Sequence, residues 1–420
     1  MFGGSRTEGA ELAVEDPWRA DVRIKPVGTS EEGHLVEADF QVDSSGYRIY
    51  FRSDDTVLTE CSEALIACAL LPAMRVGGVL SGTREVSRRF AAALPTIQDI
   101  YATWDRSLER VELRGVTRFT RRREGTRRVG AFFSGGVDSF YTLLKHRDEI
   151  TDLIFILGFD MSVDDAALYA QVSEMLDRVA ASFEKRVVRV ETNVRTLLDP
   201  HISWGMSHGA ALAAVGHCLA ADLTRLYVPS THAYGSLFTW GSHPLLDPLW
   251  SSETLEFVHD GCEATRLRKA KVVSQSDVAM RSLRVCWKNT NGAYNCGRCE
   301  KCLRTMVGLY AAGALDSCTT FREPLDVKRI SNLDVFSGNK KAYLREYVAA
   351  LEGTPRGAEL RKALYKVMSR LAFREYVETT LGRFPWLARV GGAIARSTRK
   401  HRLAKRLLRR ITRRSQSHRI

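Results

Sequence analysis

The chain has 420 residues, 45% hydrophobic and 26% charged, with a formal net charge of +13. That is length for two or three domains and an ordinary globular composition. The longest apolar run, residues 64–74, contains Pro72 and is too short to span a bilayer.

In chain order, residues 1–18 are small, polar and acidic and read as loose. Residues 22–26, 34–42 and 47–52 alternate apolar and polar side chains, as short antiparallel strands do. Residues 58–80 and 84–94 look helical. Residues 1–125 are therefore expected to form an α+β N-terminal domain, tied by a basic run at 118–128 to the next region. The first residues carry no apolar core of a secretory signal, so the expected location is cytoplasmic.

From residue 128 the pattern becomes α/β. Strands are expected at 129–133, 153–158, 187–191 and 225–229, with helices at 166–183 and 207–221 between them. Strands alternating with such helices give a parallel sheet, whose ligands bind at the carboxyl ends of the strands. At the end of the first strand stands Ser134-Gly135-Gly136-Val137-Asp138-Ser139. Two glycines let the backbone turn sharply beside a ligand. The first N–H groups of the succeeding helix then face an anion. Ser134 and Ser139 add hydroxyls, and Asp138 is a candidate for holding Mg2+. The G-x-x-x-x-G-K-[ST] phosphate loop does not occur in the chain.

Two irregular stretches, 191–204 and 230–254, are long enough to be functional. The first leads into Ser207 and His208, and the second contains His243. These three are candidate substrate contacts, since histidine can position a nucleophile or take its proton. Asp160 and the backbone at 157–159, Gly158 included, follow the second strand, at the sheet edge where such ligands bind. Trp204, Trp240 and Trp250 are candidates for stacking a planar substrate.

Nine cysteines are present, four of them in the pattern Cys286-x9-Cys296-x2-Cys299-x2-Cys302. Four thiolates at such spacing suit a tetrahedral structural Zn2+. An iron–sulfur cluster also takes four cysteines, and reactive sulfur-transfer cysteines are a further reading. Residues 316–395 read as a helical extension. Eleven Lys/Arg and no Asp/Glu fall in 396–420, so the body is near neutral and the tail is basic. Leu403, Leu407, Leu408 and Ile411 form one apolar stripe there. Such a tail can contact an anionic membrane, RNA or an acidic partner, or stay solvated.

Ser-Gly-Gly-Val-Asp-Ser resembles the pyrophosphate loop of the ATP pyrophosphatase (PP-loop) superfamily. Together with the cysteine cluster it resembles the 7-cyano-7-deazaguanine synthase branch, over roughly residues 128–313. The resemblance implies an adenine-nucleotide-hydrolase-like (HUP) α/β domain at 126–315, with a zinc knuckle at 286–302. It implies cleavage of Mg-ATP between the α and β phosphates and adenylation of a carboxylate or carbonyl. A nitrogen nucleophile would then form an amide or nitrile. Catalytic roles would fall to Asp138, Ser134 and Ser139, with Gly135, Gly136, Val137 and Gly158 also binding nucleotide. The segments 204–209 and 234–247 depart from that family's substrate loops, so the deazaguanine substrate is not carried over. The substrate is expected to be a small carboxylate or a modified base. Sulfur insertion into a nucleobase or transfer RNA, and a non-catalytic nucleotide-binding module, are the alternative functions.

Overall fold

Short runs of β-branched and aromatic residues between turns set the strands. The computed structural model describes residues 21–30, 32–82, 85–115, 117–119, 128–289, 292–333 and 340–383. Its strands are β1 (Asp21–Thr29), β2 (Leu35–Val42), β3 (Ser45–Arg52), β4 (Val79–Ser81), β5 (Glu85–Ser87), β6 (Glu112–Leu113), β7 (Thr117–Phe119), β8 (Arg128–Phe132), β9 (Asp152–Leu157), β10 (Arg186–Thr192), β11 (Leu223–Pro229) and β12 (Glu256–Asp260). Its helices are α1 (Ser62–Val76), α2 (Arg88–Trp104), α3 (Val137–Lys145), α4 (Ala166–Phe183), α5 (Arg195–Leu198), α6 (Trp204–Cys218), α7 (Arg266–Val273), α8 (Asp277–Ser282), α9 (Glu300–Ala311), α10 (Val327–Ser331), α11 (Lys340–Ala350) and α12 (Gly357–Arg383).

Ten strands form one sheet in the order β12-β11-β8-β9-β10-β3-β2-β1-β4-β6. β12, β11, β8, β9 and β10 are mutually parallel. β9 is buried along almost its whole length, as a strand covered on both faces must be. The chain runs from β8 outward through β9 and β10, then returns to β11 on the other side of β8. The carboxyl end of β8 is thus the topological switch point, where crevices open in such sheets.

β3 pairs antiparallel with β10, at Glu191 with Arg52 and Thr192 with Phe51, and so extends the same sheet. In β2 buried residues alternate with more exposed ones, so one face alone is fully covered. The apolar run at 64–74 is the buried body of α1, which packs between this sheet and α6. Being apolar all round, it has neighbours on every side. The C-terminal helices α11 and α12 share a core with α7 and α9 through Leu267, Leu303, Tyr347 and Leu364. Residues 1–20 and the basic tail at 396–420 lie outside the described residues. No described helix is long and apolar enough to cross a membrane.

Candidate functional site

β8 ends at Phe132, and the chain turns through Gly135 and Gly136 into α3. Gly135 has φ +73°, the left-handed region that favours glycine, and a Cβ there would press on Met175. Gly136 stands at the N-cap of α3 and offers no side-chain cap. The first-turn N–H groups therefore lack a side-chain acceptor, at the helix end where partial positive charge accumulates. Ser134, Gly136, Val137, Asp138 and Ser139 line a cavity of about 260 Å³ over this turn. The Ser139 hydroxyl donates to the Gly136 carbonyl at 3.0 Å and braces the loop.

Cations surround that turn. Asp138 accepts from the Arg266 guanidinium, and Lys269 Nζ lies 3.5 Å from its other oxygen. Burial works to raise the pKa of Asp138, but Arg266 and Lys269 override it and hold the carboxyl at about 2. Arg284 donates its backbone N–H to the Gly135 carbonyl at 2.8 Å. Arg284 and Arg304 both line the cavity, and the Nε of each is buried with no hydrogen-bond partner. The lining holds Arg266, Arg284, Lys301 and Arg304 against only Asp138 and Asp160 as carboxylates. Buried donors without acceptors are costly unless an anion completes them. The opposite wall is apolar, with Ile154, Ile156, Met161, Leu212 and Val228.

The remaining expected site residues divide. His208 lines the cavity and stands with Ser207 on the first turns of α6, which begins three residues before the helix expected at 207–221. Small residues allow this helix to start so early: a Cβ at Gly209 would collide with the Gly241 carbonyl. His208 Nδ1 donates to the Trp204 carbonyl at 3.0 Å, which leaves Nε2 as the acceptor nitrogen. Burial lowers its pKa and favours the neutral ring. Ser207 is buried, and its hydroxyl donates back to Ser203 O at 3.2 Å. His243 is outside the cavity lining: its Nδ1 accepts from Leu245 N at 3.1 Å, and its ring meets Trp104 edge-on. Gly158 has φ +103° and is pressed against the Thr192 carbonyl, while the adjacent Phe159 and Asp160 line the cavity. Trp204 lines the cavity, and Trp250 is core. Arg266, Lys269, Arg284 and Arg304 are site residues that sequence reasoning misses. One signal points to them, the i, i+3 cation pair Arg266/Lys269 on a short helix after the last strand.

The four clustered cysteines converge, with all ligand sulfurs within 4.8 Å of one another. Cys286 and Cys299 Sγ are 4.0 Å apart, and Cys296 and Cys302 Sγ 3.9 Å. A tetrahedral zinc with ligand sulfurs at ~2.3 Å needs sulfur–sulfur edges of about 3.8 Å. The four could therefore hold a metal ion such as zinc. Gly297, at φ +63°, makes the turn between the ligands, and Cys299 caps α9 by accepting from Cys302 N. Asn295 fastens the first ligand strand by accepting from the Val285 and Cys286 amides. Cys286 also lines the cavity, so the knuckle forms part of its wall. Comparisons with protein families, curated proteins and solved structures give no match.

Proposed function

We propose that the chain is an ATP-dependent ligase or synthase that forms AMP and pyrophosphate. In this reading a substrate carboxylate or carbonyl oxygen attacks the α-phosphorus of ATP and the bond to the β-phosphate bridging oxygen breaks. A nitrogen nucleophile then displaces AMP to give an amide or nitrile. One observation carries the reading: an uncapped helix start at the sheet's switch point faces two guanidinium groups whose buried Nε atoms lack acceptors. A pyrophosphate leaving group supplies the charge that all of these donors need.

Gly136, Val137 and the hydroxyls of Ser134 and Ser139 would hold that group, with Arg266, Arg284 and Arg304 neutralising it. Asp138 aims Arg266 and Lys269. The Mg2+ that accompanies ATP would be held by Asp138 or Asp160, the two carboxylates of the lining. His208 Nε2 is placed to accept a proton from the nucleophile. The four-cysteine site would hold Zn2+ structurally, because four protein ligands leave no open position. Sulfur insertion is the weaker reading, since converged cysteines that held a metal ion would not be free sulfur carriers.

The test is product analysis with Mg-ATP, ammonia and a panel of small carboxylic acids. AMP and pyrophosphate are the expected products. ADP and phosphate from the pure protein would overturn the proposal.

A further inference from the structure

α11 lies beyond the segment 128–313, yet it packs on both helices that carry the cavity's cations, α7 with Arg266 and α9 with Lys301 and Arg304. Gly308 lets it come close to α9: a Cβ there would stand 3.2 Å from the Tyr347 hydroxyl oxygen. Tyr343 is one turn earlier on the same face, its ring 5.6 Å from that of Tyr347. On the α7 side, Thr265 caps the helix by accepting from the Arg268 amide at 3.3 Å. The same hydroxyl donates to the Glu346 carboxylate of α11.

Tyr343 holds Arg304 in two ways. The guanidinium carbon lies 5.3 Å from the centre of the Tyr343 ring, within cation–π range. The Tyr343 hydroxyl donates to Glu300 Oε1 at 3.0 Å, and Arg304 Nη1 lies 3.5 Å from that same oxygen. Burial, and then Glu300, raise the Tyr343 hydroxyl above its ordinary pKa, so it stays a donor. Arg304 itself lines the cavity with its side chain 11% exposed, and its Nε has no hydrogen-bond partner.

We propose that Tyr343 is a positioning residue of the anion cavity, which with Glu300 fixes the Arg304 guanidinium in place for a pyrophosphate group. The proposal rests on the reading of that cavity as a pyrophosphate site. A mobile arginine loses side-chain freedom when it grips an anion, whereas one already held by a ring and a carboxylate has lost it beforehand. A planar guanidinium laid against a ring is suited to such pre-organisation. The hydroxyl has a second effect in the same direction. Glu300 is a rival anion for Arg304, and the Tyr343 hydroxyl draws on the oxygen that faces it. Without that bond Glu300 pairs more closely with Arg304 and competes with an incoming phosphate. The C-terminal extension therefore belongs to the binding machinery, although none of its residues lines the cavity.

The experiment uses the full chain loaded with zinc, and calorimetry with inorganic pyrophosphate as the probe. Tyr343→Phe keeps the ring and removes the hydroxyl. With a normal unfolding transition, it is expected to bind about fivefold more weakly, the worth of one hydrogen bond. Arg304→Gln leaves Arg266, Arg284 and Lys301 to hold the probe, and adding Tyr343→Phe to it is expected to cost nothing more. An equal loss in both backgrounds would overturn the proposal, because Tyr343 would not be acting through Arg304. Leu364→Ala, in the same core but on α12, is expected to lower the unfolding temperature and bind as wild type does. If it weakened binding as much as Tyr343→Phe, general loosening would replace positioning as the cause. Equal binding by wild type and Tyr343→Phe would sink the role of Tyr343 alone. A wild type that binds no pyrophosphate would sink the reading of the cavity, and the role with it.

Discussion

Asp138 shows how much the surroundings change a residue's meaning. As a loop carboxylate it reads as a candidate magnesium ligand. In the fold it is the counter-charge of Arg266 and Lys269, with its side chain only 19% exposed. Its folded pKa of about 2 lies below the ordinary value of 3.8, so it contributes stability above pH 4 that is lost as pH falls through 2. That difference corresponds to about 2 kcal/mol at neutral pH. Asp138→Asn is therefore expected to lower the free energy of unfolding by about that amount at pH 7 and by almost nothing at pH 2. Urea titrations at the two pH values check it, and a pH-independent difference would mean that the ion pairs are not the cause. The same variant is expected to lose pyrophosphate formation, because Arg266 and Lys269 lose the group that aims them. His208 is the complementary case. It is half-buried, favours the neutral ring and gives Nδ1 to the Trp204 carbonyl, so His208→Gln is expected to slow amide formation more than ATP–pyrophosphate exchange. Equal loss of both would place its role in the first half-reaction.

Among elements, the four-cysteine cluster and α9 belong to the cavity wall as much as to stability. Arg284, Cys286, Lys301 and Arg304 all line the cavity, and the Arg284 amide holds the Gly135 carbonyl. Cys299→Ser is expected to lower zinc content from about one per chain, to depress the unfolding temperature and to weaken nucleotide binding together. Elemental analysis, thermal melts and calorimetry read the three. Iron in place of zinc would move the site to the cluster reading. Elements with local signals are legible in the sequence. The helix expected at 166–183 is α4 to the residue, since Asp165 caps it through Leu168 N and its periodicity is clear. The cysteine spacing likewise announces its own geometry. The helix expected at 207–221 starts three residues early in the fold, because glycines that look like loop punctuation are there for close packing against Gly241 and Trp240. The cation wall is illegible for another reason. Arg266 meets Asp138 across more than a hundred residues of chain, and no local pattern encodes that contact.

At the scale of the molecule, one sheet joins strands of residues 21–119 to those of 128–260. The β3–β10 pairing and a core shared by residues of both halves make the N-terminal region part of the platform beneath the cavity. The excess of positive charge, by contrast, sits in 396–420, where eleven Lys/Arg meet no acid. The cavity is built from residues 132–304, so removing 396–420 is expected to leave pyrophosphate formation with a small substrate unchanged. Attraction to anionic vesicles or RNA is expected to fall on truncation, and to fall with added salt in the full chain. Surface charges are screened beyond a Debye length of about 8 Å at physiological ionic strength. Vesicle co-sedimentation and RNA filter binding across a salt series separate the two surfaces. Loss of RNA binding alone would raise the transfer-RNA reading above the small-molecule ligase. Unfolding on truncation would mean that Leu403, Leu407, Leu408 and Ile411 pack into the body, and the tail would then be a structural element and not an anchor.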